Sequence, residues 1–180
     1  MSDNISWKIL SRFVEIRSKW LTLIGEKIEN NNQEILEYWR VKKDDSAVII
    51  VIHNNQFLLP IPSYRPGLGE ITLDFAGGRI PENKTPIEVI PTILKRELDI
   101  DEFSIASLTS LNKNGWAINS SFSNQKLYGF VVSILPNTPI NSDKLGLTYP
   151  VTQSGVNQLL QDLNCLQCRA ILLEWKNSLI

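Results

Sequence analysis

Histidine and cysteine are scarce in this chain of 180 residues, and the scarcity argues against several kinds of active site. With a single histidine, His53, a Ser-His-Asp triad has no supporting constellation. The two cysteines, Cys165 and Cys168, form one C-x-x-C motif without the second pair of ligands that a structural zinc site requires. The motif falls inside a C-terminal segment with the apolar spacing of a helix. We therefore predict small, buried or half-buried helix residues of a reducing compartment, not a redox or metal centre.

A strong charge of one sign and long apolar runs are also missing. The net charge of −1 argues against a surface that coats nucleic acid, which needs a basic stripe. No apolar run approaches the roughly 20 residues of a membrane span. The first ten residues, MSDNISWKIL, lack the basic and apolar regions of a signal peptide. We expect a cytoplasmic protein that binds neither nucleic acid nor membrane.

The residues that are present indicate a globular protein of the α+β class. Hydrophobic residues make up 43% and charged residues 21% of the chain, which is ordinary for one compact domain. The asparagine cluster at 30–32 predicts the turn of a hairpin between segments 20–29 and 33–41. Further strands are predicted at 46–53, 56–60, 71–75, 103–112 and 126–135. One helix is expected in the middle of the chain and others after residue 151.

The mid-chain helix has two possible starts. Thr85 is a suitable cap and Pro86 fits a first turn, in which case Pro91 bends the helix. Alternatively, Pro91 starts a second helix over 92–98. Helical spacing predicts a buried stripe, which comprises Ile87, Ile90, Leu94 and Leu98.

This segment also resembles a known motif. Residues 77–100 read GGRIPENKTPIEVIPTILKRELDI, which is similar to the Nudix box, G-x5-E-x7-R-E-U-x-E-E-x-G-U, where U is bulky and aliphatic. The register that starts at Gly78 needs no gap. Four specified positions then match the box, namely Gly78, Leu94, Glu97 and Ile100, and five depart from it, namely Lys84, Thr92, Ile93, Arg96 and Asp99.

The departures fall on the positions that carry the family's chemistry. Nudix enzymes cleave a diphosphate linked to another group with Mg²⁺ or Mn²⁺, hard cations that take oxygen ligands from glutamates on one helix face. Here that face would present Ile93, Arg96 and Glu97, so the resemblance leaves Glu97 as the single catalytic and metal-binding candidate. In an active enzyme, other acids would have to compensate, and the candidates are Asp74, Glu82 and Glu88.

A second register remains open. Arg96-Glu97-Leu98 could itself be the R-E-U triplet, with Asp101 and Glu102 as the later acids. This shift of four residues is about one helical turn, so the acids would still lie on nearly the same face of the helix. It would place Ile100 where an acid is needed and lengthen the spacing from the glycine to the arginine.

The order of motifs around the box resembles the ADP-ribose pyrophosphatase branch of the Nudix superfamily. Ser63-Tyr64-Arg65-Pro66 stands where that branch has a tyrosine–arginine pair, and Leu73-Asp74-Phe75-Ala76-Gly77-Gly78 stands where it has E-L-P-G-G. The resemblance implies a Nudix α/β/α sandwich with a mixed sheet, the box helix, N-terminal extra strands and C-terminal helices. It also implies N-terminal strands in residues 1–42 that build a homodimer, ahead of a Nudix-like domain in residues 43–180.

Four residues are the candidate binding groups for a phosphate. Arg65 offers a bidentate fork, Gly77 and Gly78 let the backbone approach a ligand closely, and Arg79 follows them in the chain. The loop 119–125 is a further candidate, although Gln125 replaces the branch's acid. Trp116 and Tyr128 could stack on a base or line the core.

Two functions are therefore compatible with the sequence. One is a divalent-metal-dependent hydrolase of ADP-ribose or a related nucleoside diphosphate compound. The other is a catalytically inactive Nudix domain that binds a nucleotide-like ligand or a protein partner. A module that works mainly through its dimer surface is a third, simpler possibility.

Overall fold

The structure is a computed structural model that describes residues 6–179 of the chain. Contacts divide the chain into two compact units. The first comprises the chain up to Asp44 together with Ala117–Lys126, and the second comprises Asp45–Trp116 and the chain from Leu127 onward. Within the described residues, no helix is long and apolar enough to cross a membrane.

The elements follow one another in an α+β order. The strands are β1 (Lys8–Arg17), β2 (Thr22–Glu29), β3 (Ile35–Lys42), β4 (Asp45–His53), β5 (Gln56–Pro60), β6 (Ser63–Arg65), β7 (Glu70–Thr72), β8 (Ala76–Ile80), β9 (Ile105–Ser110), β10 (Trp116–Ala117), β11 (Lys126–Ile134) and β12 (Leu145–Pro150). The helices are α1 (Ile90–Leu98), α2 (Gln153–Asp162) and α3 (Leu166–Asn177).

The first unit is built on an antiparallel sheet in the order β1-β2-β3. The predicted hairpin is confirmed as β2 and β3, and Asn30 holds its turn by accepting hydrogen bonds from the backbone N–H groups of Asn32 and Glu34 at 2.9 and 3.0 Å. Phe13 and Trp39 meet edge to face, with ring centroids 5.4 Å apart. A Cβ at Gly25 would lie 2.8 Å from the Phe13 ring, so the glycine makes this contact possible.

A buried carboxylate joins the three strands of this sheet. Glu26 on β2 is 1% exposed and accepts hydrogen bonds from Arg12 on β1 at 3.0 Å and from Arg40 on β3 at 2.9 Å. Arg40, and then Arg12, hold the pKa of Glu26 below its usual range against the opposing effect of burial. The two arginines compensate the charge of the buried group, as burial requires.

The second unit is built on a mixed sheet around β4. One edge of β4 pairs in parallel with β11, and the other pairs antiparallel with β8 and then with β5. The sheet continues from β5 to β12 and from β11 to β9 and β10, while β6 and β7 form a separate ribbon. Ile49 and Ile50 of β4 are both fully buried, as expected for a strand that is covered on both faces.

The helix α1 packs on the core of this sheet through an apolar stripe. Ile90, Ile93, Leu94 and Leu98 join Ala47, Ile49 and Val51 of β4 in one buried cluster. Burial of each large aliphatic side chain contributes about 1.5–3 kcal/mol. The prediction of Ile87 in this stripe was wrong, because its side chain is 55% exposed and Ile93 takes the buried position instead.

The start of α1 follows the second of the two possibilities open from the sequence. Glu88 accepts hydrogen bonds from the N–H and hydroxyl of Thr85 at 2.6 and 2.7 Å, which closes a turn ahead of the helix. The helix then begins at Ile90 with Pro91 in its first turn. Proline is tolerated there because the first N–H groups of a helix have no intrahelical acceptor, so Pro91 does not bend the axis.

Two strand predictions need correction. The strand expected at 71–75 ends at Thr72, and the double glycine that follows lies within β8, because Gly77 and Gly78 pair with Val48 and Ala47 of β4. The strand expected at 103–112 begins only at Ile105, since a short 3-10 turn over Glu102–Ser104 precedes it and Phe103 is 82% exposed.

Candidate functional site

The double glycine of β8 lies directly against α1. A Cβ added at Gly78 would stand 3.0 Å from both Arg96 Nη2 and Ile93 Cγ1. The absence of a side chain at Gly78 therefore lets the helix face carrying Ile93 and Arg96 approach the strand. In the gapless box register Gly78 is the first glycine and residues 93, 96 and 97 are glutamate positions, so this contact joins positions that belong to the box.

The guanidinium of Arg96 bridges the strand and the helix. Its Nη2 donates a hydrogen bond to the carbonyl oxygen of Gly77 at 2.6 Å, and its Nε donates to Glu97 Oε1 at 2.7 Å. A carbonyl oxygen and a carboxylate oxygen are the kinds of ligand that a hard divalent cation takes. Here these two oxygens bind the guanidinium of Arg96 instead of a metal ion.

The residues beside Gly78 do not fit Mg²⁺ or Mn²⁺. Ile93 is 2% exposed and has no ligand atom, while Arg96 carries a positive charge of its own. Glu97 is the one carboxylate that the gapless register retains, and it is paired with Arg96 at 2.7 Å. Among residues 6–179, the one group of at least three His, Cys, Asp or Glu ligands comprises Asp74, Cys165 and Cys168, without Glu97.

The proposed compensating acids have other surroundings. Asp74 accepts hydrogen bonds from Arg65 and Thr72, and Glu88 accepts those of Thr85. Glu82 lies exposed in the connection between β8 and α1.

The second box register does not agree with the end of α1. The helix ends at Leu98, and Asp99 adopts the left-handed conformation with φ 57°, so Asp101 and Glu102 lie beyond the helix. The gapless register explains this geometry, because it places Asp99 at the box's glycine. A left-handed residue is the common end of a helix, and glycine is the usual choice there.

Arg65 takes part in an ion pair. Its Nε and Nη2 donate to Asp74 Oδ2 at 2.9 and 2.7 Å, and the hydroxyl of Thr72 donates to the same oxygen at 2.9 Å. The Arg65 side chain is 50% exposed, and its Nη1 takes no part in the pair. Arg79 lies exposed on β8, opposite Ser46 of β4.

The candidate loop 119–125 is fixed to the first unit. The N–H of Val41 donates to the carbonyl of Phe122 at 2.7 Å, and the N–H of Lys43 donates to Asn124 Oδ1 at 2.9 Å. Phe122 itself is 45% exposed, so hydrogen bonds of the backbone and of the Asn124 side chain, and not the Phe122 ring, hold the loop. In the second unit, Tyr128 packs against the core cluster, whereas Trp116 is half-buried.

The cysteine pair lies at the start of a helix. We expected both residues inside a helical segment, but the chain is extended at Cys165 and α3 begins at Leu166. The break follows Leu163, where α2 has already ended. The apolar spacing on both sides conceals the break, and Asn164 between the two runs is the one local signal of it. The predicted burial is confirmed, with Cys165 half-buried and Cys168 buried.

Comparison with known proteins identifies the fold. No family model matches the chain, and no curated protein matches its sequence. A solved structure described as "Crystal structure of ADP compounds hydrolase" is similar with a TM-score of 0.75 and 21% sequence identity, over 99% of this chain and 97% of that one. The chain thus shares the α+β fold of that structure, with a mixed sheet and, within residues 6–179, three α-helices.

Proposed function

We propose that this protein is a Nudix-fold binding module that takes a nucleoside diphosphate-type ligand without hydrolysing it by the family's metal chemistry. The observation that carries the proposal is the Arg96 guanidinium, which sits on the Gly77 carbonyl and Glu97 where the box would require metal-binding carboxylates. A Nudix-like fold implies a divalent metal only if the protein is active, and the residues here supply a different cation.

The part of the Arg96 guanidinium that is not used in these two contacts indicates which class of ligand the site would bind. Its Nη1 makes neither of the two contacts described above, and the side chain is 55% exposed. Arginine presents its N–H donors in a planar fork that matches phosphate oxygens. The glycine pair beside it allows a ligand to approach the backbone closely. The similar solved structure is described as a hydrolase of ADP compounds, which supports a nucleoside diphosphate compound as the first ligand to test.

The test is calorimetric titration with ADP-ribose in excess chelator and again with Mg²⁺. We expect the same affinity under both conditions, because the Arg96 side chain supplies the positive charge and no metal ion is needed to bridge the phosphates. Arg96→Gln should weaken binding by at least about tenfold, which corresponds to ~1.4 kcal/mol. Lys95→Gln is the matched control, since Lys95 pairs with Asp99 and Asp101 instead. Binding that requires Mg²⁺, or that Arg96→Gln leaves unchanged, would contradict the proposal.

We further propose that the N-terminal strands of residues 1–42, of which residues 1–5 lie outside the described part of the chain, form a homodimer interface. The first unit exposes large apolar side chains on and beside its sheet, including Trp7 at 47%, Ile9 at 53%, Ile16 at 60%, Trp20 at 58% and Ile35 at 64%. A concentration of this kind marks an interaction surface. β1 is also an edge strand of its sheet, whose unpaired backbone groups favour pairing with another chain.

A further inference from the structure

The strongest unexplained cluster of reactive side chains is formed by Cys165, Cys168 and Asp74. One ligand atom from each lies within 4.8 Å of the other two. The two thiols differ in access, because Cys165 is half-buried and Cys168 is 2% exposed. A reagent can therefore reach the first thiol before the second.

The backbone places the two thiols for mutual reaction. The N–H of Arg169 donates to the carbonyl of Cys165 at 3.0 Å, so the hydrogen bonding of α3 starts from Cys165. Residues three apart at a helix turn have Cβ atoms about 5–6 Å apart. A disulfide needs about 3.5–4.5 Å, so a small adjustment at the extended residue Cys165 brings the pair within bonding geometry.

The two thiols differ in their hydrogen-bond partners and in the direction of their pKa shifts, as well as in their accessibility. The Sγ of Cys168 accepts a hydrogen bond from the N–H of Phe75 at 3.5 Å and donates one to Asp74 Oδ1 at 3.7 Å. The Cys168 thiol has one hydrogen, and when it is donated to Cys165 instead of Asp74 it lowers the pKa of Cys165 to about 6. The backbone N–H groups of Cys168 and Gln167 lower this pKa further, while burial and Asp74 oppose the shift. The pKa of Cys168 is raised, first by its bond to Cys165 and then by burial.

We propose that Cys165 and Cys168 form a dithiol site that undergoes exchange with small-molecule disulfides. In the first step, the Cys165 thiolate attacks one sulfur of the small disulfide. A bond forms between Cys165 Sγ and that sulfur, the disulfide bond breaks, and the other half leaves as a thiolate that takes a proton from water.

In the second step, Cys168 resolves the mixed disulfide. Its proton passes to Asp74 Oδ1, its sulfur attacks Cys165 Sγ, and the second half of the reagent leaves as a thiolate. The two protein thiols are oxidised to one disulfide, and the small disulfide is reduced to two thiols. Arg65 and Thr72 bind the other oxygen of Asp74 and so hold Oδ1 in place beside the Cys168 thiol.

Zinc is the competing occupant of such a cluster. Zinc sites of the structural kind use four ligands, usually cysteine and histidine. The cluster supplies two thiols and one carboxylate, and that carboxylate already binds Arg65 and Thr72 through Oδ2. The unequal access and the helix start fit an attacking and a resolving thiol better than a closed metal site.

The experiment incubates the reduced full-length protein with oxidised glutathione and follows it by intact-mass spectrometry and peptide mapping. We expect the wild type to form the Cys165–Cys168 disulfide with no lasting glutathione adduct. Cys168→Ser should instead retain one glutathione on Cys165, and Cys165→Ser should stay unmodified while it remains folded. Asp74→Asn should accumulate the mixed disulfide, because the second step loses its proton acceptor.

Three results would overturn the proposal. The wild-type protein could remain fully reduced under conditions in which its Cys165 is alkylated. The two single variants could retain glutathione equally. Alternatively, the protein purified without chelator could hold stoichiometric zinc that must be removed before either thiol reacts. The wild-type peptide map decides the matter even if a variant fails to fold, and none of these outcomes depends on whether a nucleotide binds at Arg96.

Discussion

At the scale of single residues, Arg96 is the partner of Glu97, the one carboxylate at positions 93, 96 and 97. A lone carboxylate makes a weak magnesium site, but it is a good partner for a guanidinium, which stays charged at every accessible pH. The Glu97 side chain is 31% exposed and the Arg96 side chain is 55% exposed. Because exposed ion pairs contribute little to stability, the main effect of this pair is on the local charge.

Glutamates introduced at positions 93 and 96 should create a metal-binding site. In Ile93→Glu with Arg96→Glu, the helix would offer three carboxylates beside the Gly77 carbonyl, and we expect Mg²⁺ affinity to rise by at least about tenfold, or ~1.4 kcal/mol. Titration calorimetry measures the gain, and circular dichroism checks the fold because Ile93 is buried. Arg96→Gln is the control and should gain nothing. An unchanged Mg²⁺ affinity in a folded double variant would refute the box register.

The sequence predicts part of the site at this scale. Spacing along one helix is enough to bring Ile93, Arg96 and Glu97 together, because helical geometry is local. The pairing of Arg65 with Asp74 and the approach of Asp74 to Cys168 depend on how separate elements pack. No spacing rule within the chain specifies such contacts.

At the scale of elements, the ends of α1 are set by local chemistry. Thr85 and Glu88 close the turn before it, and Asp99 ends it in the left-handed conformation. The Asp99 side chain contributes a contact with Lys95 at 2.7 Å and accepts a hydrogen bond from Asn141 at 2.9 Å. These contacts offset the cost of placing a residue other than glycine in the left-handed conformation.

Two substitutions separate the cost of the left-handed backbone at Asp99 from the contribution of its side-chain contacts. Asp99→Gly and Asp99→Ala both remove the contacts with Lys95 and Asn141, but only alanine keeps a Cβ in the left-handed region. We expect the glycine variant to be more stable than the alanine variant by about 1 kcal/mol. Chemical denaturation of both proteins measures the difference. Equal stability would mean that the left-handed end of the helix is not maintained in solution.

The buried Glu26 makes the first sheet sensitive to acid. Its folded pKa lies below the 4.5 of an ordinary glutamate, so its ion pairs stabilise the protein above that pH and the contribution is lost as pH falls through the folded pKa. We expect Glu26→Gln to lower the free energy of unfolding by about 2 kcal/mol at neutral pH. The gap to wild type should close as the pH is lowered below 4.5 in denaturation experiments. A gap that stays constant with pH would show that the ion pairs do not form.

Sequence patterns predict elements best where one period dominates. The run at 46–53 and the asparagine turn at 30–32 gave strands with nearly the observed limits, β4 and the hairpin of β2 and β3. The double glycine was expected after a strand, yet it lies inside β8, because pairing with β4 outweighs the weak strand preference of glycine. The gap between α2 and α3 was missed since apolar spacing continues across it.

At the scale of the whole molecule, the exposed apolar face of the first sheet is the basis of the proposed homodimer. Ile16→Glu with Ile35→Glu should shift the protein from dimer to monomer. Both side chains lie on the same face of the sheet, because they pair with Leu23 and Glu29 of β2, and the new charges would be buried in the interface without partners. Analytical ultracentrifugation measures the change. Phe103→Glu is the control, since Phe103 is 82% exposed but lies outside this sheet. A wild-type protein that is monomeric at micromolar concentration would contradict the proposal.

The central claim is the proposal that the protein does not hydrolyse its ligand with a divalent metal beside Gly78, and product release tests it most directly. Wild type and Glu97→Gln are each incubated with ADP-ribose and Mg²⁺ or Mn²⁺, and the phosphate-containing products are quantified. The account predicts no turnover by wild type above that of the variant. Metal-dependent turnover that Glu97→Gln abolishes would contradict it and would establish a working hydrolase in which other groups complete the site.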